Sequence, residues 1–106
     1  MYHVVFLVKK KADMTQQEFV DYWINRHTPI TAQIPGLREY RCYPLIASTD
    51  ERDVPFDAVA YIAFDDEQAC KAALASGEMA AAGADAVNFQ TVDETYGFYA
   101  KEYRIV

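Results

Sequence analysis

The sequence predicts an α+β domain of the ferredoxin-like plan, with the element order βαββαβ. Three observations carry this prediction: two almost wholly apolar segments at 2–8 and 56–64, a capped helix that opens at Thr15, and a second helical region after the acids at 65–67. Right-handed crossovers place both helices on one face of a four-stranded antiparallel sheet. A chain of 106 residues that is 52% hydrophobic is predicted to form one domain, 1–106.

The N-terminal third is predicted to be a strand, a turn and a helix. Residues Tyr2–Val8 are apolar apart from His3, as expected of a strand buried on both faces. The turn is Lys11-Ala12-Asp13. Thr15 and Glu18 have the spacing of a capping box, in which the hydroxyl and the carboxylate each accept from the other residue's backbone amide.

The predicted helix carries a histidine on its apolar face. The stripe consists of Phe19, Trp23, His27, Ile30 and Ile34. Because proline cannot donate to the preceding turn, Pro29 predicts a kink or a second segment just after His27. Gly36, next to Pro35, is predicted to end the helix.

The remaining segments complete the plan. They are a strand at Leu37–Ala47, a polar loop at Ser48–Pro55, a strand at Phe56–Phe64, a helix at 65–76 that continues after Gly77 to about Phe89, a strand at Thr91–Tyr99 and a tail at Lys101–Val106. In this plan the first and third strands are central. The edge strands carry Pro44 and the charges Arg38, Glu39, Arg41, Asp93 and Glu94, as edges do.

Both faces of the central strands are apolar, although the helices can cover only one. The other face needs a cover that the chain itself does not supply. The sequence therefore predicts a homodimer whose two sheets pack face to face, with the Lys101–Val106 tail extending across to the partner.

Composition excludes several classes of function. The formal net charge is −6, and the single basic run, Lys9-Lys10-Lys11, is interpreted as a solvated turn, so neither nucleic acid nor an anionic membrane is expected as a partner. No apolar run approaches the ~18 residues of a membrane span, and no secretion signal is evident. Cys42 and Cys70 lack a CxxC pattern and fit reduced thiols, so the predicted location is cytoplasmic.

His27 and Tyr40 are the candidate catalytic residues. A neutral imidazole between helix and sheet could take a proton alpha to a carbonyl, and Tyr40 could donate a hydrogen bond to a carbonyl or enolate oxygen. The alternatives are a buried histidine bonded to backbone near Pro29 and a half-buried strand aromatic.

Other side chains are candidates for the same pocket. The candidate substrate-binding residues are Tyr22, Trp23, Asp53 and Tyr61, although aromatic residues of this kind are more often core. Arg26 and Arg38 are interpreted as surface charges and His3 as structural. Cys42 has no evident activating base. Two histidines make no metal pattern, and no nucleotide-binding motif is present, so no cofactor or metal is expected.

Five short motifs in order resemble the EthD-like family, named after ethyl tert-butyl ether degradation. They are Met14-Thr15-Gln16-Gln17-Glu18-Phe19, Tyr22-Trp23, His27-Thr28-Pro29, Ile34-Pro35-Gly36-Leu37 and Tyr40. The resemblance covers nearly the whole chain and implies a dimeric α+β barrel. It also implies that His27 and Tyr40 belong to the site. Where related methylmuconolactone isomerases have a further histidine and a cysteine, this chain has Asp53 and, nearby, Tyr61.

The family that the chain resembles includes isomerases, polyketide cyclases, decarboxylases and cofactor-free monooxygenases. The first hypothesis is a cofactor-independent acid/base enzyme acting by isomerisation, cyclisation or decarboxylation. Its substrate would be a small oxygenated aromatic-derived, lactone or polyketide-like compound. The alternatives are a cofactor-free monooxygenase or redox accessory protein of a degradation pathway, and a small-molecule-binding module without catalysis.

Overall fold

The computed structural model describes residues Met1–Val106 and has the predicted element order. The strands are β1 (Tyr2–Val8), β2 (Glu39–Pro44), β3 (Ala58–Phe64) and β4 (Tyr96–Lys101). The helices are α1 (Gln16–Tyr22), a π-helical segment (Trp23–His27), α2 (Thr28–Thr31), α3 (Glu67–Leu74), α4 (Gly77–Ala86) and a 3₁₀ turn (Val92–Glu94). No helix combines the length and apolar character that crossing a membrane requires.

The four strands form one antiparallel sheet in the order β2-β3-β1-β4. The prediction that the first and third strands are central is therefore confirmed. Several bounds differ from prediction: β2 and α3 are shorter at both ends, β3 begins at Ala58, and β4 runs from Tyr96 to Lys101. α2 ends at Thr31, before Gly36. Gly36 instead takes the left-handed conformation, with φ of +79°, in the turn that leads to β2.

The chain between Thr91 and Thr95 is a 3₁₀ turn and not the start of β4. Thr95 Oγ1 accepts from the Lys9 backbone amide and donates to the Thr91 carbonyl, which closes this turn against the end of β1. Asp93 and Glu94 consequently lie in the turn, and the prediction that they mark an edge strand was wrong.

The sheet has one face under the helices and one open face. Phe6 and Val8 of β1 share the covered face with Ala60 and Ile62 of β3. Directly opposed residues of antiparallel strands face the same side, so Val5, Tyr61 and Phe98 lie together on the open face. Phe98 there keeps 50% of its surface exposed.

Gly97 of β4 lies directly beside the Phe6 ring of β1. It is the register partner of Phe6 on the neighbouring strand. A Cβ at this position would lie 3.2 Å from the Phe6 ring, closer than ordinary packing allows. Gly97 therefore leaves the space that the Phe6 ring occupies, and Phe6 lines the cavity described below.

The capping box at the start of α1 is confirmed. Thr15 Oγ1 accepts from the Glu18 amide at 3.1 Å, and a Glu18 carboxylate oxygen accepts from the Thr15 amide at 2.9 Å. These hydrogen bonds hold the pKa of Glu18 below its ordinary value. The cap fixes the direction in which α1 enters the fold and hence the position of the helix that bears His27.

Replacing Thr15 with alanine should lower the free energy of unfolding by about 1 kcal/mol, because the Glu18 amide loses the hydroxyl that it donates to. Urea denaturation followed by circular dichroism measures this loss. Thr49→Ala, in an exposed loop, is the matched control and should change stability little. Equal effects of the two substitutions would contradict the role of the cap.

Candidate active site

His27 is positioned by a π-helical turn. The Thr28 amide donates to the carbonyl of Trp23, five residues back, which is the π spacing. The Ile24 carbonyl accepts instead from Thr28 Oγ1 at 2.6 Å. Pro29 has no backbone N–H to donate, and its ring crowds the carbonyl of the preceding turn. A widened turn accommodates the ring. The predicted interruption after His27 therefore takes the form of a π turn followed by α2.

Both ring nitrogens of His27 have side-chain partners. Nδ1 lies 2.9 Å from an oxygen of Asp85, and Nε2 lies 3.1 Å from the hydroxyl of Thr31. The Phe89 ring packs against the imidazole, with 4.6 Å between centroids. His27 is only 7% exposed. The imidazole is thus held in one orientation by α2, α4 and the aromatic core.

Asp85 is a carboxylate with three donors. It accepts from the Tyr22 hydroxyl at 2.7 Å and from Asn88 Nδ2 at 3.1 Å, besides its contact with His27. Burial alone would raise the pKa of Asp85, but these three hydrogen bonds outweigh it and hold the pKa below its ordinary value. Asp85 is therefore ionised at neutral pH.

An ionised carboxylate can only accept hydrogen bonds, which decides how His27 is protonated. Nδ1 must carry a proton and donate it to Asp85. In the neutral imidazole, Nε2 then has the free lone pair and accepts from the Thr31 hydroxyl. This is the arrangement in which a carboxylate orients an imidazole as a general base.

Tyr40 stands near His27 as a neutral hydroxyl. Trp23 Nε1 donates to the Tyr40 oxygen at 3.2 Å. Burial, and next the thiol of Cys42, raise the pKa of Tyr40 far above its ordinary value, and hydrogen bonds with Trp23 and Thr31 offset this only in part. The hydrogen bond from Trp23 uses a lone pair of the Tyr40 oxygen and not its proton, so the hydroxyl can still donate to a ligand.

These groups open into one cavity of about 140 Å³ between the sheet, the π turn and α4. Ten of its fourteen lining residues are hydrophobic. The polar side chains in its wall belong to His27, Thr31, Tyr40 and Gln90. None of the lining residues is lysine, arginine, aspartate or glutamate, so the charged Asp85 lies behind His27 and not in the cavity wall.

The predicted site residues lie in four different places. His27, Tyr40 and Trp23 line the cavity, while Tyr22 stands behind it as a donor to Asp85. Tyr61 lies on the opposite face of the sheet, where its hydroxyl accepts from Arg41 Nε at 2.6 Å.

Asp53 lies in the exposed loop between β2 and β3 and does not line the cavity. The placement of Asp53 and Tyr61 corrects the expectation that they share a pocket with His27. Side chains alternate between faces along β3, and Ala60 and Ile62 take the cavity side, so Tyr61 points away from it. In this chain the two positions that differ from the isomerase pattern are both outside the cavity.

Asp85 and Thr31 are the site residues that sequence reasoning missed. A signal for Asp85 does exist in the sequence. It is the only ionisable residue between Met79 and Phe89, and it lies in the last turn of α4, where the helix dipole disfavours an acid. An acid kept in such a place needs a local partner. Thr31 follows His27 by four residues, one helical turn away.

The molecule is thus a ferredoxin-like α+β domain with a carboxylate–imidazole pair at a small apolar cavity. The EthD domain model matches residues 11–93. The chain therefore belongs to the EthD family. No curated protein matches its sequence.

Solved structures agree with this fold. An EthD family protein from Bacillus halodurans C-125 superposes with a TM-score of 0.84 at 25% identity, covering 97% of this chain and 99% of that one. A dimeric ferredoxin-like protein from Jannaschia sp. CCS1 has a TM-score of 0.70 at 14% identity, covering 95% and 98%. A candidate antibiotic biosynthesis monooxygenase from Nitrosomonas europaea has a TM-score of 0.63 at 15% identity, covering 98% and 100%. The predicted fold class is confirmed.

Proposed function

We propose that this protein is a cofactor-independent acid/base enzyme of isomerase, cyclase or decarboxylase type. Its substrate would be a small oxygenated compound derived from an aromatic, a lactone or a polyketide. One observation carries the proposal: His27, held by Asp85 through Nδ1, lines the same mainly apolar cavity as Tyr40.

The chemistry follows from the roles of these groups. The Thr31 hydroxyl turns away from His27 Nε2, and Nε2 takes a proton from carbon alpha to a carbonyl. The electron pair of the broken C–H bond forms an enolate, whose oxygen accepts a hydrogen bond from Tyr40. Asp85 stabilises the imidazolium so formed. Return of the proton to a different atom completes an isomerisation. In a cyclisation the enolate carbon attacks an internal carbonyl, and the alkoxide formed from that carbonyl takes the proton back from His27 Nε2.

A direct test is deuterium exchange in D₂O. Cyclic ketones, enones and lactones are incubated with the protein, and loss of the signal of the proton alpha to the carbonyl is followed by NMR. The proposal expects faster exchange than in buffer for at least one compound class. Exchange at the buffer rate across the panel, for compounds that bind, would support a binding module and contradict catalysis.

An oxidative function is the second candidate, favoured by the structural neighbour that is a candidate monooxygenase. The same base could convert an electron-rich phenolic substrate into an anion that reacts with O₂ without a cofactor. Oxygen consumption in proportion to turnover distinguishes this from isomerisation, which consumes none.

We also propose that the protein is a homodimer that buries the open face of the sheet. Tyr43, Tyr96 and Phe98 stay about half exposed on this face, and several structural neighbours are described as dimeric. The Lys101–Val106 tail, which includes the largely exposed Ile105 and Val106, would extend onto the partner.

Light scattering should give about twice the chain mass of 12.1 kDa. Phe98→Asp should shift the mass toward the monomer, because a buried unpaired charge is costly at an interface. Val87→Asp, an equally exposed apolar residue just after α4, is the matched control and should remain dimeric. A monomeric wild-type protein at micromolar concentration would contradict the proposal.

A further inference from the structure

We infer that the cavity selects a neutral, single-ring molecule with one hydroxyl or carbonyl oxygen. This inference deepens the proposed function and rests on the same site. Two physical properties of the cavity narrow the class of substrate: its size, and the absence of lysine and arginine from its walls.

The size of the cavity fits one ring. An engineered apolar cavity of about 150 Å³ in another protein binds benzene. The present cavity, about 140 Å³, holds a molecule of similar size. Three packed parts of the fold form its walls. Phe6 and Ile62 come from the sheet, Ile34 follows α2, and Ala82 belongs to α4. A fused two-ring compound exceeds this volume, so its second ring would lie outside the cavity or displace one of these walls.

The charges around the cavity disfavour an anion. No lysine or arginine lines it, and the nearest ionised group that the site contains is the carboxylate of Asp85, directly behind His27. The two arginines considered from the sequence are elsewhere: Arg38 makes two 3.0 Å hydrogen bonds to Asp65, and Arg26 is exposed. A ligand carboxylate would lose its hydration and gain no lysine or arginine as a partner, and Asp85 already lies against His27.

The polar groups fix the ligand's orientation. Tyr40 and Thr31 supply hydroxyls, and His27 Nε2 is 3.1 Å from the Thr31 oxygen. The ligand oxygen is placed at the Tyr40 hydroxyl, and the ring lies against the apolar wall. A neutral ligand also narrows the reaction type, because a decarboxylase has to bind a carboxylate whereas an isomerase acting on a ketone or a neutral lactone does not.

The first test compares benzamide with benzoate at pH 7 by isothermal titration calorimetry. The two probes have nearly the same shape and differ in charge. Benzamide is expected to bind at least about tenfold more tightly than benzoate. Phenol is expected to bind, and 2-naphthol, with a second fused ring, to bind more weakly than phenol. Benzoate binding as tightly as benzamide, or 2-naphthol more tightly than phenol, overturns the inference.

The second test locates the binding by filling the cavity. Ala86 lines the cavity and is partly exposed, whereas Ala81 lies on the exposed side of the same helix. Ala86→Leu should weaken benzamide binding at least about tenfold without lowering the melting temperature. The matched control Ala81→Leu should bind as the wild type does. Equal benzamide affinity in the two variants also overturns the inference.

These outcomes can be separated from failure of the proposed catalysis. Binding of benzamide in preference to benzoate, with no deuterium exchange in any ketone or lactone, contradicts the catalytic proposal and supports the ligand class. Preference for benzoate together with exchange that depends on His27 contradicts the ligand class and supports catalysis.

Discussion

Replacing His27 with glutamine should slow deuterium exchange by about 10²- to 10⁴-fold, the usual contribution of a positioned general base. Glutamine keeps a polar side chain of comparable size next to Asp85 and Thr31, so the pocket remains filled and these two side chains keep a hydrogen-bonding neighbour. The amide cannot accept a proton from carbon at neutral pH. The rate of exchange on the most reactive ketone or lactone of the panel measures the loss.

The matched control for this substitution is His3→Gln. His3 is the only other histidine, is 6% exposed and packs beside Tyr61 on the opposite face of the sheet. Its replacement should leave the exchange rate close to that of the wild type. Melting temperatures of both variants establish that they are folded. Exchange that is unaffected by His27→Gln, in a folded variant, would remove His27 from the mechanism.

Benzamide binding separates the catalytic role of His27 from a role in shaping the cavity. The apolar wall and the Tyr40 hydroxyl remain in His27→Gln, so benzamide affinity should change much less than the exchange rate. A parallel loss of binding and exchange would assign His27 to the pocket wall alone.

Much of the fold could be predicted from local patterns. The apolar runs at β1 and β3 identify the central strands, because only strands covered on both sides tolerate them. The capping box locates α1, since it depends on two side chains three residues apart. The start of β4 could not be located in this way. Thr91 and Val92 have strand-forming side chains, but the long-range hydrogen bond from Lys9 to Thr95 fixes a turn there.

The site was predictable to the extent that it follows helix and strand periodicity. The apolar stripe brought Trp23 and His27 to one face, and Tyr40 is placed opposite Ile62 by register. Along β3 the alternation separates Tyr61 from Ala60 and Ile62 but does not tell which set faces the helices. Only the packing of the whole sheet decides this, and it puts Tyr61 on the open face.

The partner of His27 lies 58 residues along the chain, so no local pattern connects the two. Asp85 is carried by an alanine-rich helix whose small side chains give little periodic signal. The π turn is similarly hidden, because it depends on Pro29 together with the Thr28 hydroxyl that occupies the Ile24 carbonyl. These tertiary features complete the proposed catalytic arrangement, which makes Asp85 the most informative residue to change after His27.

Asp85→Asn should lower the exchange rate by roughly 10²-fold or more while leaving the side-chain shape intact. The asparagine oxygen can still accept from Tyr22 and Asn88, so its amide group is left facing His27 Nδ1. A donor in that position favours the tautomer that is protonated on Nε2, and Nε2 can then no longer take a proton from the ligand. Asp21→Asn, on the exposed side of α1, removes the same charge and should keep the wild-type rate.

The same substitution should lower the free energy of unfolding at pH 7 by about 2 kcal/mol, because the hydrogen bond from His27 is lost and those from Tyr22 and Asn88 then go to a neutral acceptor. The folded pKa of Asp85 is below its unfolded value, which is about 4. The stabilising contribution is therefore complete above the unfolded pKa and is lost as the pH falls through the lower folded pKa. Urea unfolding should thus show a smaller difference between wild type and Asp85→Asn near pH 3 than at pH 7. A difference that grows on acidification would mean that the carboxylate is not stabilised in its ionised form, and the Nδ1–H assignment of His27 would fail with it.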